Sequence, residues 1–319
     1  MPNHRSRNNM KQKIALLSVL VASLLSACNP KPEATQAEPN AASEAVVEVK
    51  EASLEGDTEA LDLDLPKCDG NSCPEIDVAR LNSNQPYIDA WVDAEILKVM
   101  QQILSIAPKH KIEQQPAMEA NAAQSASEAN PEMPPVTTKT TLEQQLKPYV
   151  SSFLYLDQEL KDLSANHQIS VMLKPRILNH KGPLATVVLN SSSYLGGAHG
   201  SSTQQYANFD LAQGKQIALK DIVLPKQQAA LEKAAYAVFK QWVMDAKLAE
   251  NMNEYEQAWK FHLSDNFYLS QQGLILQYAE YEIGPYVVGL PKLVISYEDL
   301  QGILKPEYLP VAEAVIKPS

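Results

Sequence analysis

From residue 168 to residue 178 apolar side chains fall at every second position, with Ile169, Val171, Leu173 and Ile177 on one side of an extended chain. Strand side chains alternate between two faces, so this pattern demands a sheet with one face against a core. Residues 184–194 are rich in β-branched side chains and read as the next strand, returned through His180-Lys181-Gly182-Pro183. Gly196-Gly197-Ala198-His199-Gly200 breaks that strand. Residues 203–211 resume an extended pattern, and Gln213-Gly214-Lys215 turns it into a short strand over 217–219.

The flanking segments follow the same logic. Residues 75–81 read as a short strand; Asn82-Ser83-Asn84 supplies capping oxygens and Pro86 falls in the first turn of a helix. Ile88, Trp91, Val92, Ile96, Val99 and Ile103 give that helix one apolar face to about Ser105. Leu142, Leu146, Val150, Phe153 and Leu160 define a second helix, which Pro148 is expected to kink or divide. Between them, residues 108–141 hold five prolines and no aromatic, and read as a disordered insertion. Further on, Pro225 opens a helix bearing Leu231, Ala235, Val238 and Trp242. A hairpin is expected over 266–270 and 274–281, turned by Gln271-Gln272-Gly273, then a strand over 293–296 and a helix from Tyr297. Strands in runs with helices between them indicate an α+β fold, with a mainly antiparallel sheet and helices packed on one face. No internal repeat is evident.

Charge narrows the partners. The chain carries 27 Lys+Arg against 38 Asp+Glu, a net charge of −11, and no basic tract beyond its N-terminus. Phosphate neutralisation supplies most nucleic-acid affinity, so nucleic acid is excluded as a ligand. No aromatic precedes Tyr87 and 19 of the 21 lie from Tyr149 onward, which puts most of the core in the C-terminal half.

Arg5, Arg7, Lys11 and Lys13 precede an uncharged apolar run over residues 14–27, and no acid occurs before residue 28. As a helix this run would span about 21 Å, short of the roughly 30 Å hydrocarbon core, so it suits a signal segment better than a spanning helix. It ends in Leu25-Ser26-Ala27-Cys28, which resembles the lipobox of bacterial lipoproteins. The resemblance implies cleavage before Cys28, diacylglyceryl transfer to its thiol and acylation, as with palmitate, of the new amino group. Each buried CH2 contributes roughly 0.8 kcal/mol, so several acyl chains anchor stably. An ordinary secretory signal with a cysteine at its cleavage site is the alternative. Asn29 in place of Asp favours the outer membrane in a Gram-negative cell, with the protein facing the periplasm or the surface.

Removal of residues 1–27 takes the charge from −11 to −15. Residues 29–66 then hold ten acids, two lysines, four prolines and no aromatic, a composition that cannot offset chain entropy. Residues 28–66 therefore read as an acidic disordered tether, and 67–319 as the folded ectodomain. Cys68 and Cys73 are expected to form a disulfide across the Asp69-Gly70-Asn71-Ser72 turn, a local clip at a strand start. A zinc reading needs two more soft ligands nearby, and none is present.

Tyr194-Leu195-Gly196-Gly197-Ala198-His199-Gly200, Asn208-Phe209-Asp210-Leu211 with Gly214-Lys215, and Leu219-Lys220-Asp221-Ile222 resemble the C-terminal domain of unknown function of the RsiV-type ectodomain. Tyr281-Glu282-Ile283-Gly284-Pro285-Tyr286 with Gly289 matches the same pattern. The stretch from Cys73-Pro74-Glu75-Ile76 to about Met100 is similar to the N-terminal half of that ectodomain, which also accompanies a peptidoglycan deacetylase domain. The likeness covers residues 68–105 and 142–308. It implies an extracytoplasmic binding module, since RsiV-type proteins are anti-sigma factors that serve as lysozyme receptors. Two family properties do not carry over. A lipobox stands where an anti-sigma factor needs its cytoplasmic and spanning segments. Deacetylation needs a paired-histidine metal site, and His4, His110, His167, His180, His199 and His262 include no pair at metal-ligand spacing.

His199, between Gly197 and Gly200 and beside Ser201 and Ser202, is the one constellation that suggests catalysis, with Asp210 as its orienting acid. The competing reading is structural: the glycines permit a tight strand connection and His199 bonds the loop backbone. No nucleophile elbow, P-loop, dinucleotide fingerprint or EF-hand spacing occurs. Tyr281, Pro285 and Tyr286 form either an aromatic binding ledge or a packed strand end. The expectation is an envelope lipoprotein with a non-catalytic module for a lysozyme-like protein or peptidoglycan, using no cofactor and no metal. A periplasmic hydrolase acting through His199 and a purely structural lipoprotein are the alternatives.

Overall fold

The computed structural model describes residues 52–68, 70, 72–104, 134–163 and 168–310. Those residues lie within one compact unit, Lys50–Ser319. Six strands, β1 (Gly56–Ala60), β2 (Glu75–Ser83), β3 (Ser170–Asn179), β4 (Ala185–Tyr194), β5 (Ser201–Asp210) and β6 (Lys215–Ile217), hydrogen-bond in chain order. Every pair is antiparallel except β2–β3, which runs parallel from Glu75–Ser170 to Val78–Leu173. That exception follows from what separates the two strands, since a parallel connection needs a crossover long enough to return to the starting end. Helices α1 (Pro86–Leu104) and α2 (Lys139–Asp162) supply it.

Both helices bury their apolar stripe on one sheet face. Ile88, Val92 and Ile96 of α1 and Leu142, Leu146 and Phe153 of α2 meet Leu173, Val187 and Leu189 in the first core. Each fully buried aliphatic or aromatic side chain contributes about 1.5–3 kcal/mol relative to exposure. The Arg80 guanidinium on β2 crosses to Asp93 on α1, with Nη2 2.7 Å from Oδ2, and pins strand to helix.

Four sequence expectations change here. The folded part begins before residue 67: Leu54 is fully buried, and β1 pairs with β2 from Gly56–Ser83 to Ala60–Ala79. Some of the acids that made this stretch read as tether decorate an edge strand, where exposed Asp57, with Glu55 just before the strand, opposes pairing with another chain. Residues 28–51, with the Cys28 site, and the signal segment 1–27 lie outside the described residues. The insertion expected to reach residue 141 ends earlier, because Thr138 caps α2 by accepting the Thr141 N–H at 3.2 Å; residues 105–133 lie outside the described residues. Pro148 does not divide α2. It removes one helical hydrogen bond, but the buried stripe on either side holds the helix continuous.

The fourth change is in the C-terminal part, where a second sheet separates from the first. Strands β7 (Phe267–Leu269), β8 (Gly273–Gln277) and β9 (Lys292–Ser296) pair antiparallel in that order. Leu231, Ala235, Phe239 and Val243 of α4 (Gln228–Asp245) pack on Leu274, Leu276, Leu293 and Ile295 as a second core. α3 (Leu219–Ile222) replaces the end of the strand expected over 217–219, and α5 (Met252–Ala258) had no sequence forecast. The expected helix from Tyr297 is absent. Leu300 and Leu304 have helical spacing, but turns bury them instead, and Leu304 bridges back to Val223. Strand β7 lies against β5 on the side away from the first core, where Asn208 alternates with Ala207 and Phe209. Asn208 Nδ2 donates to Phe267 O at 2.8 Å and Asn179 Nδ2 to Leu269 O at 3.2 Å. No helix among the described residues is long and apolar enough to cross a membrane.

Burial of tyrosines makes the fold sensitive to alkali. Tyr255 donates to Ile283 O at 2.8 Å and fully buried Tyr278 to His262 O at 2.9 Å. Burial pushes the Tyr255 hydroxyl up to about 12, and Tyr278 higher still. Burial, then the neighbouring Tyr268, pushes Tyr206 up to about 12. A pKa raised in the fold contributes stability that is complete below the unfolded value of about 10 and is lost as pH rises through the folded value. The denaturation midpoint should therefore be insensitive to these groups up to about pH 10 and fall between 10 and 12. Tyrosinate absorbance should lag in the folded protein relative to the denatured chain. Coincident titration curves for folded and denatured protein would refute this.

Candidate functional site

The loop from β4 to β5 turns at Gly196, whose φ of 85° suits glycine. A Cβ there would lie 2.9 Å from Leu160 Cδ1 on α2, a flexible side-chain end that could shift, so it is the positive φ that calls for glycine. The loop delivers His199 to the surface. Its ring stacks on Tyr286, with centroids 4.0 Å apart and planes at 26°. Tyr281 lies 5.6 Å from Tyr286, and Trp259 lies 6.5 Å from Tyr281, both near-parallel at 29° and 26°. Four rings from three distant segments thus form one aromatic corner. Tyr281 is 50% exposed and adjacent Val287 86%.

Two features hold the corner. Tyr281 has φ of 63°, a left-handed conformation that costs a bulky side chain about 1–3 kcal/mol. Glu282 stabilises this turn: Oε2 accepts the Ala279 N–H, and Oε1 lies 2.7 Å from His262 Nε2. Tyr286 Oη donates to Gly200 O at 3.0 Å, tying the turn to the loop.

The imidazole is committed on both sides. His199 Nδ1 lies 3.0 Å from Gly200 O, and a carbonyl only accepts, so Nδ1 carries the proton. Nε2 lies 3.2 Å from Tyr281 Oη, within hydrogen-bond reach. Asp210 is engaged elsewhere, accepting the Ala212 and Gln213 N–H groups at 2.9 Å in its own turn. Neither Ser201 nor Ser202 hydrogen-bonds to the ring. The catalytic grouping considered from sequence is therefore not assembled, whereas His199, Tyr281 and Tyr286 are brought together. His180 plays a structural part: Nδ1 lies 3.0 Å from Leu54 O. Cys68 and Cys73 are joined, with Cα atoms 5.8 Å apart, just before β2. Among the described residues no group of three His, Cys, Asp or Glu is placed to hold a metal ion.

Beside the corner a groove of about 730 Å³ runs between α1 and β5. It exists because β6 pairs only with residues 208–210 of β5, leaving the edge of 201–206 without a strand partner. Side chains cover that edge. Asn266 Oδ1 accepts the Tyr206 N–H at 2.8 Å while its Nδ2 donates to Gln204 O at 2.7 Å, and Glu280 Oε1 accepts the Ser202 N–H at 3.0 Å. Across the groove, Gln205 Nε2 donates to Glu95 Oε2 of α1 at 2.9 Å. Sequence reasoning missed Trp259, Asn266 and Glu280. Each is an isolated aromatic or turn polar residue without periodic neighbours, so no local signal marks it.

The architecture defines a mixed α+β protein with a six-stranded, mostly antiparallel sheet, a three-stranded sheet and packed helices. Its C-terminal part carries a DUF3298 domain: residues 220–298 match the family described as "Protein of unknown function (DUF3298)". Tyr281–Tyr286 and Gly289 fall inside that match and the His199 loop outside it. A crystal structure of a DUF3298 family protein from Pseudomonas aeruginosa PAO1 is similar, with a TM-score of 0.52 at 22% identity over 82% of this chain and 97% of that one. A family member from Bacteroides fragilis NCTC 9343 gives a TM-score of 0.50 at 17% identity, covering 81% and 96%. At these identities the likeness concerns the fold, and its coverage extends well beyond residues 220–298. No functionally curated protein matches the chain.

Proposed function

We propose that this is a lipid-anchored protein of the bacterial envelope whose folded part is a non-catalytic binding module, with the aromatic corner as its contact surface. The observation that carries the reading is the state of His199. Both ring nitrogens are engaged and its ring is one of four in an exposed stack, an arrangement built for contact rather than proton transfer. The RsiV-type motifs support an extracytoplasmic ligand, either a lysozyme-like protein or peptidoglycan. The basic N-terminus, the short apolar run and Cys28 support the anchor.

Two experiments test this. Cys28→Ser should move the protein from the membrane to the soluble fraction, and wild-type protein should carry an acylated N-terminal cysteine by mass spectrometry. An unmodified mature N-terminus elsewhere would end the claim. Calorimetry of the chain from Lys50 onward against lysozyme and soluble peptidoglycan fragments should detect saturable binding at about 0.1 M salt, where the Debye length is about 10 Å. His199→Ala should keep the fold and there should be no turnover to lose. Hydrolysis of the fragments by wild type that vanishes in His199→Ala would favour the hydrolase instead.

A further inference from the structure

We propose that the groove along β5 binds an uncharged saccharide chain, with the aromatic corner stacking a sugar ring at its mouth. This deepens the binding-module reading and rests on it. The groove lies between α1, β5 and the segments at 264–266 and 279–282, and its volume falls within the roughly 300–1,000 Å³ of ligand sites. Three properties select the ligand.

Charge comes first. No Lys or Arg among the described residues lines the groove, so no described side chain there compensates a phosphate or carboxylate. Two of the three carboxylates that line it among the described residues are already matched. Glu95 lies 3.1 Å from Lys98 and accepts from Gln205; Glu282 meets His262 and the Ala279 N–H. Only Asp265 remains, too little to draw in a cationic protein. Backbone availability comes next. A peptide adding as a strand needs the free groups of the β5 edge, and Ser202 N, Gln204 O and Tyr206 N are taken by Glu280 and Asn266. What the groove does offer is neutral side-chain hydrogen bonding. Ser193 and Ser201 alternate onto the α1 face and Ser192 and Ser202 onto the other, so the groove has serine side chains on both sides of the β5 edge, and their hydroxyls bond to no other described residue. Such hydroxyls match the hydroxyl and amide groups of a sugar polymer, whose apolar ring faces stack on aromatic side chains such as the exposed Tyr281. Ser201 and Glu282 belong to the groove and are chain neighbours of Gly200 and Tyr281, so the groove ends beside the two segments that carry the corner.

The test is calorimetry of the full folded protein with the tetramer of N-acetylglucosamine as probe. Saturable binding that changes little between low and moderate salt is expected. Tyr281→Ala, which keeps a Cβ at the strained position, should weaken binding about tenfold, or about 1.4 kcal/mol. Ser201→Trp, at an exposed position, should fill the groove and abolish binding, with the thermal midpoint unchanged in both variants. If the tetramer does not bind but lysozyme does, and Tyr281→Ala weakens lysozyme binding, the saccharide inference is overturned while the binding module stands. If neither binds, both fall. Binding of the tetramer unaffected by either substitution would place it elsewhere and overturn the inference; cleavage of the tetramer would overturn the non-catalytic reading.

Discussion

Asp93→Ala will lower the unfolding free energy by about 3–5 kcal/mol, because it strands a guanidinium in a site with almost no water. Asp93 is 1% exposed and Arg80 9%. Arg80 Nε and Nη2 reach Asp93 Oδ1 and Oδ2 at 3.2 and 2.7 Å, a two-pronged pairing, and Nη2 also donates to Thr137 O at 3.3 Å. Thr137 Oγ1 donates to the same carboxylate, so one group ties β2, α1 and the approach to α2 together. The effect comes from the uncompensated charge, not from the pair's intrinsic worth. Replacing Arg80 and Asp93 together by Met and Leu should therefore recover most of the loss. Urea unfolding of the single and double variants measures both. A double variant as unstable as Asp93→Ala would show that the pair itself contributes the stability.

Gly273→Ala should do comparable or greater damage, more than about 4 kcal/mol. Gly273 opens β8 at φ of 149° and pairs with Ser296. A Cβ there would collide with the Ile295 carbonyl oxygen and sit 2.9 Å from the Ile295 carbonyl carbon and 3.1 Å from Ser296 Cα. Backbone cannot swing aside as a flexible side chain can, so β8 and β9 must separate at that end. The hairpin closure goes with it, since Gly273 O accepts the Ser270 N–H at 2.9 Å. Gly197→Ala is the matched control, for a Cβ at Gly197 meets nothing within 4 Å. Its stability should stay within about 0.5 kcal/mol of wild type. Equal midpoints for the two alanine variants would refute the steric account.

The strands and helices with a strong local period are legible in the amino-acid sequence. Two-residue alternation marks β3, a β-branched run marks β4, and the helical stripe marks α1 and α2, since each pattern needs only neighbours along the chain. Near residue 56 composition misleads. An edge strand is expected to be charged and short, and in sequence those properties mimic a solvated tether. The forecast helix from Tyr297 fails for the complementary reason. Helical spacing of Leu300 and Leu304 states that both are buried, without stating whether a helix or successive turns bury them.

The candidate site divides along the same line. His199, Tyr281 and Tyr286 are each identifiable as candidates from their glycine and proline neighbours. That they form one stack, with Trp259 added, depends on contacts spanning 82 residues between His199 and Tyr281. So does the choice between catalytic and structural readings of His199, because it turns on which atom reaches each ring nitrogen.

What the sequence determined by itself was local: a basic and apolar N-terminal run ending at Cys28, a run of strands after residue 168, and two amphipathic helices before it. Each is a property of residues within a turn or two of one another. Tertiary structure alone decided that β1 joins the sheet edge, that β2 and β3 run parallel, and that a second sheet splits from the first. It also decided that β5 keeps an open edge covered by Asn266 and Glu280. The physical reason is that a strand's period names the face it buries but not the partner it buries against. Partner choice is settled only when the remote surfaces meet and their volumes, hydrogen bonds and charges are satisfied together.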